Sequence, residues 1–254
     1  MDNSAYVIFG FDFRENPEQK ELIRLINIEP NLMPIVFCKG DAGTGKTFTA
    51  LAAALHLVRS KGSKKKYKNV YYVREPVEIG HRLGYLKGTE EDKYGPYLGP
   101  LLDNYNHLMA NVKQDAASPY REPKRNAKFT DENKPLYENL PSDIIPIAPE
   151  FIRGRSFSDA ILIVDEAQNL TLDELHTLAT RLGSNSKMII IGSPNQIDVE
   201  DQTYEKNAFE TSYKILEPTG LIGFVELKAP MRSGFVTDFD QRFLQYKLKE
   251  GKKR

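Results

Sequence analysis

Gly40-Asp41-Ala42-Gly43-Thr44-Gly45-Lys46-Thr47, preceded directly by the apolar run Ile35-Val36-Phe37-Cys38, decides the fold class of this chain. These eight residues fit G-x-x-x-x-G-K-[ST]. The pattern requires a strand-like run before it and a helical pattern after it, and residues 48–58 supply the latter as an amphipathic helix opening at Phe48. Glycines permit a tight turn whose N–H groups, together with the next helix's N-terminus, face phosphate, while Lys46 brings a positive charge. The Thr47 hydroxyl completes a magnesium shell. The fixed positions match by chance in roughly one per cent of chains this long, so a bare glycine-rich helix cap is the weaker reading.

Working outward, Val70-Tyr71-Tyr72-Val73, Ile161-Leu162-Ile163-Val164, Met188-Ile189-Ile190-Ile191 and Phe224-Val225-Glu226-Leu227 also read as strands. Short, unbroken and β-branched, the earlier ones predict burial on both faces. Helical patterns lie between them. The clearest begins at Thr171, where Glu174 completes a capping box. Strands alternating with helices predict an α/β fold with a mostly parallel sheet flanked by helices. One strand ends in adjacent carboxylates, Asp165 and Glu166. Beside a phosphate loop, the first is suited to magnesium and the second to polarising an attacking water.

Further along, Met188-Ile189-Ile190-Ile191 runs into Gly192-Ser193-Pro194-Asn195-Gln196, which makes Gln196 the candidate sensor of a terminal phosphate. Asn16-Pro17-Glu18-Gln19 opens a helix reaching Ile26. Gln19 suits adenine edges and equally suits the third position of a helix start, and both readings stay open. From about 103 to 144 the rhythm breaks, with four prolines and many charges, predicting an irregular insertion or arm within a single 254-residue domain.

Bulk composition narrows the class. Lys+Arg and Asp+Glu both total 35, so no global field draws the chain to nucleic acid or membrane. Local lysine clusters exist: Lys61, Lys64, Lys65, Lys66 and Lys68, then a basic tail of Lys247, Lys249, Lys252, Lys253 and Arg254 over 247–254. With one cysteine, Cys38, no intrachain disulfide forms, and four scattered histidines give no zinc-like spacing. These features, without a leader-like start or a membrane-length apolar run, set the expectation of a cytoplasmic protein that is not membrane-embedded.

The same residues resemble the PhoH-like P-loop ATPases, whose core is related to superfamily 1 helicases. The resemblance covers most of the chain, from Gln19 to the last helix. Arg74-Glu75-Pro76-Val77-Glu78 with Leu83-Gly84-Tyr85-Leu86-Lys87-Gly88 is similar to the family's R-P-x-V-E and L-G-F-L-P-G. Ile147-Ala148-Pro149-Glu150-Phe151-Ile152-Arg153-Gly154-Arg155-Ser156 is similar to A-P-L-x-x-x-R-G-R-T. Asp165-Glu166-Ala167-Gln168-Asn169 is close to D-E-A-Q-N. The resemblance implies a RecA-like fold, ATP and Mg2+ as ligands, and ATPase activity. The family's G-D-x-x-Q reads Gly192-Ser193-Pro194-Asn195-Gln196 here, so Gln196 is kept and the acidic residue is lost.

Arg232 resembles the family's arginine before the last helix, a cation suited to charge developing on a transferred phosphate. Two-lobed relatives complete the site with a second lobe. An arginine supplied by a neighbouring subunit would serve instead, giving the expectation of a homo-oligomer such as a hexameric ring. An ATP-driven motor or remodeller acting on single-stranded RNA or DNA is the first functional expectation, with the lysine clusters either touching nucleic acid or forming a solvated face. The alternative is an ATP-gated interaction switch with little turnover, and a small-molecule kinase ranks third.

Overall fold

Strands without a polar break cannot present a wet face, so they need cover on both sides. The computed structural model describes residues 3–61, 67–75, 95–112, 119–120, 140–193, 207–231 and 242. In it β1 (Val7–Ile8) and β2 (Phe11–Asp12) form an antiparallel hairpin. The main sheet contains β3 (Ile35–Gly40), β4 (Asn69–Arg74), β5 (Ile144–Ile147), β6 (Ala160–Asp165), β7 (Lys187–Gly192) and β8 (Ile222–Leu227). Its order is β5-β4-β6-β7-β3-β8, with every neighbouring pair parallel. The carboxyl ends of β3, β4, β6 and β7 therefore share one edge.

Alternate residues feed two cores. Val36, Cys38, Ile161, Ile163, Ile189 and Ile191 pack toward α1 (Pro17–Asn27), α2 (Lys46–Arg59) and α3 (Gly99–Ala110). Ile35, Phe37, Leu162, Val164, Met188 and Ile190 pack toward α4 (Leu172–Thr180) and α5 (Ala208–Leu216). The capping box at Thr171 forms as read: its hydroxyl accepts from Glu174 N, and Glu174 Oε2 accepts from Thr171 N at 2.8 Å.

Helix α2 departs from expectation. It starts at Lys46 rather than Phe48, and residues 49–55 are all buried, so it is not a one-sided amphipathic helix. The cause is that α1 and α3 both pack on it while its other side meets the sheet. Small side chains at Ala50, Ala52, Ala53 and Ala54 allow that close three-sided approach. At its far end Arg59, 2% exposed, clasps Asp143 through two 2.7 Å hydrogen bonds and lies 5.3 Å from the Tyr105 ring.

The stretch expected to be irregular begins as helix, because residues 103–110 complete α3 and bury Tyr105 and Leu108. It ends as strand β5. Pro146 is tolerated there because β5 closes the sheet order, where a missing N–H costs no interior ladder bond. Between them Tyr120 touches the body: its hydroxyl accepts from Phe9 N at 3.1 Å and lies 3.3 Å from His56 Nδ1, while Lys61 N donates to Pro119 O at 2.9 Å. Residues 113–118, 121–139 and the basic tail lie outside the described residues. Among the described residues, no helix is long and apolar enough to cross a membrane.

Candidate nucleotide-binding site

The loop after β3 is shaped by where side chains cannot go. A Cβ on Gly40 would collide with the Leu227 carbonyl of β8, so the turn hugs the sheet edge. Gly45 has φ +83°, a left-handed value that disfavours other residues, and its Cβ position lies 2.6 Å from Gln19 Nε2. The loop closes on itself. Thr44 Oγ1 and Lys46 Nζ both donate to the Asp41 carbonyl, at 2.9 and 2.8 Å. Burial holds the Lys46 ammonium below its ordinary pKa, against the opposing pull of Glu166, Cys38, Asp165 and Asp41. An anion there would compensate that desolvation.

Asp165 ends β6 and is 2% exposed. Thr47 Oγ1 donates to its Oδ1 at 2.9 Å; the Tyr72 hydroxyl donates to Oδ2 at 2.6 Å, with Arg74 at 3.5 Å. Thr47 thus spends its proton on the carboxylate and keeps its lone pairs for a cation. These hard oxygen donors fit Mg2+. Glu166 takes φ 51° and ψ 44° at the head of a short 3-10 turn, Ala167–Asn169. Desolvation first, then Asp165, raises its pKa. Gln168 Nε2 donates to Glu166 Oε2 at 2.7 Å, and Gln168 Oε1 accepts from Ser193 N at 2.9 Å. Ser193 follows β7, between the two loaded strands, and its buried hydroxyl has no partner among the described residues.

The structure therefore brings residues 40–47 together with Asp165 and Glu166. Gln19 lies against the loop: Asn16 caps α1, as read, and Gln19 Nε2 points to Thr44 O at 3.5 Å. Phe48, also expected to bind the nucleotide, lies in the first turn of α2, and its ring turns toward Phe11 at 5.0 Å and His107 at 5.3 Å. Gln196, Arg232 and the lysines 64–66 lie outside the described residues. Sequence reasoning missed Tyr72 and Gln168 as supports of the carboxylates. Gln168 stood within the D-E-A-Q-N resemblance, yet its role appears only when β7 is placed beside it.

A parallel sheet carrying a phosphate loop on one strand, adjacent carboxylates on another and a strand between them has the architecture of a RecA-like P-loop core. The chain belongs to the PhoH-like family, whose model, described as PhoH-like protein, matches residues 14–242. Protein PhoH2 of Bacillus subtilis is 37% identical over 184 residues, 72% of this chain and 37% of that protein. A PhoH-like protein of Mycobacterium tuberculosis is 32% identical over 215 residues, 84% of this chain and 53% of that protein. The chain thus spans about half or less of these relatives. Among solved structures, Bacteroides Pif1 in complex with ADP-AlF4 has 15% identity and TM-score 0.37, covering 87% of this chain and 44% of its own. The SWI2/SNF2 ATPase core of Sulfolobus solfataricus has 14% identity and TM-score 0.45, covering 88% and 46%.

Proposed function

We propose that this chain binds ATP with Mg2+ between residues 40–47 and the Asp165/Glu166 pair, and hydrolyses it to ADP and phosphate. The observation that carries this is the 2.9 Å hydrogen bond from Thr47 to Asp165, which joins the phosphate loop to the carboxylate strand beside Glu166. Loop N–H groups and Lys46 hold the phosphates. Thr47 and Asp165 would hold Mg2+, which supplies charge neutralisation at the phosphate oxygens. Glu166 orients water and takes its proton; a raised pKa makes it a better base than an ordinary surface carboxylate. Gln168 keeps that carboxylate aimed. Gln196 and Arg232 are proposed to sense and stabilise the terminal phosphate, Arg232 from a neighbouring subunit of a homo-oligomer such as a hexameric ring.

Coupling to single-stranded RNA or DNA is part of this proposal and is supported by the local lysine clusters. A second reading, an ATP-gated switch with little turnover, is favoured by Ser193 standing where the family has an acidic residue. Steady-state ATP hydrolysis with and without Mg2+, RNA and single-stranded DNA decides between them. Turnover stimulated by a nucleic acid supports the enzyme. ATP binding with turnover near zero under every condition overturns hydrolysis and leaves the switch.

A further inference from the structure

Gly45 has a second neighbour whose place is fixed but whose role the phosphate loop does not explain. Met231 Cγ lies 3.4 Å from the Gly45 Cβ position, and Met231 N donates to Gly43 O at 2.8 Å. The approach to it is pinned as well: Glu18 Oε2 accepts from Lys228 N at 2.6 Å and Ala229 N at 3.2 Å. Met231 nonetheless stays 61% exposed. Single exposed apolar side chains are ordinary on proteins. This one is latched by its own backbone to the loop that would hold phosphate, on the side where Asn16 and Gln19 stand. Asn16 Nδ2 sits 3.9 Å from the Met231 sulfur, and Gln19 Nε2 faces Gly45.

A nucleotide whose phosphates fill the cradle must lead its ribose and base out across the loop. On the Gly45 side the surface it meets is a polarizable thioether bordered by two carboxamides. A heteroaromatic base is recognised by that combination: an apolar face to lie on and hydrogen-bonding groups at its edge. Phe48, another large apolar side chain beside the loop, already has its ring against Phe11 and His107. We infer that Met231 is the platform for the nucleobase and sets the preference for a base-bearing nucleotide over bare polyphosphate. This rests on the nucleotide-binding reading above.

The test is calorimetric titration of the full chain with Mg2+ and either ATP or inorganic triphosphate, which has no base. Met231→Ala is expected to weaken ATP roughly fivefold to tenfold while leaving triphosphate unchanged, the scale of a lost thioether–ring contact. Met231→Leu keeps an apolar face and retains most of the ATP affinity. Equal losses for both ligands, no loss for either, or a Leu variant as weak as the Ala variant overturns the platform while nucleotide binding stands. Wild-type protein that is folded and binds neither ligand overturns the nucleotide reading itself, and the platform with it.

Discussion

The two chemically loaded turns at the sheet's carboxyl edge are built by opposite means. After β3 the backbone does the shaping: Gly40 and Gly45 leave room that Leu227, Gln19 and Met231 fill, and Asp41 closes the loop through its carbonyl. After β6 the side chains do it. Thr47, Tyr72 and Arg74 fix Asp165, and Gln168 holds Glu166 in a left-handed conformation that an L-residue adopts at a cost. A turn shaped mainly by backbone space depends less on its neighbours' charge, although Thr44 and Lys46 also help to close it. A side-chain-built turn depends on each partner and on protonation. If the proposed function holds, ligand holding and chemistry would be separable between these two turns, and substitutions can test the separation.

The largest expected effect is on rate. Glu166→Gln should slow hydrolysis by about 10²- to 10⁴-fold while ATP affinity stays near wild type, as read by single-turnover kinetics beside equilibrium binding. Lys46→Ala or Gly45→Ala should do the reverse and abolish or greatly weaken binding. If Glu166→Gln loses affinity as severely as Lys46→Ala, the two turns are not separable.

Next comes Gln168→Leu, which strips Glu166 of a donor and leaves the buried Ser193 N–H without its acceptor. Urea unfolding should show a loss of about 1–3 kcal/mol, with turnover reduced and nucleotide affinity kept. Unchanged turnover would remove Gln168 from any part in aiming Glu166.

Glu75, next to Arg74 on the side-chain-built half, gives a pH signature. Burial, with Glu174 and Glu150 nearby, pushes its carboxyl up to about 7 from an ordinary 4.5. Between those values the folded chain holds a proton that the unfolded chain releases. Its stabilising contribution is complete below 4.5 and is lost as pH rises through 7. Glu75→Gln should flatten that fall by about 1 kcal/mol, allowing for the solvent reaching this half-buried group. Melting temperatures of both proteins from pH 4.5 to 8 check it, and parallel curves would refute it.

The smallest effect isolates the backbone cost at φ 51°. Glu166→Gly and Glu166→Ala both delete the carboxylate, but glycine alone relieves the left-handed conformation. The glycine variant should be the more stable by about 1 kcal/mol in urea titration. Equal stabilities would mean the turn relaxes and stores no strain.

What was legible follows the same division. Glycine spacing exposed the phosphate loop because backbone shape is written in the residues that must bend. Asp165 and Glu166 were legible because they end a fully apolar strand, and Thr171 and Asn16 because caps are local. Strand β5 was not, since Pro146 and its short length hid it beside a charged segment, and only pairing with β4 creates it. Residues 103–110 looked irregular because α3 spends its apolar side chains Leu101, Tyr105 and Leu108 on α2, a partner distant in sequence. Tyr72 read as a strand residue, and its hydroxyl's bond to Asp165 spans 93 positions. Such links belong to the packed sheet and leave no periodic trace.

Cys38 turns the buried strand before the phosphate loop into a clock. It is the chain's one cysteine, 0% exposed, and burial pushes its thiol up to about 12. Its side chain packs toward α1, α2 and α3, so a thiol reagent reaches it when those helices lift from the sheet, and the labelling rate counts openings of that core. A nucleotide bound beside Gly40 makes those openings rarer by mass action. At a hundred times its dissociation constant, ATP would slow labelling about 100-fold. Occupancy of the site, with or without turnover, would then be timed by an unmodified atom of the protein itself.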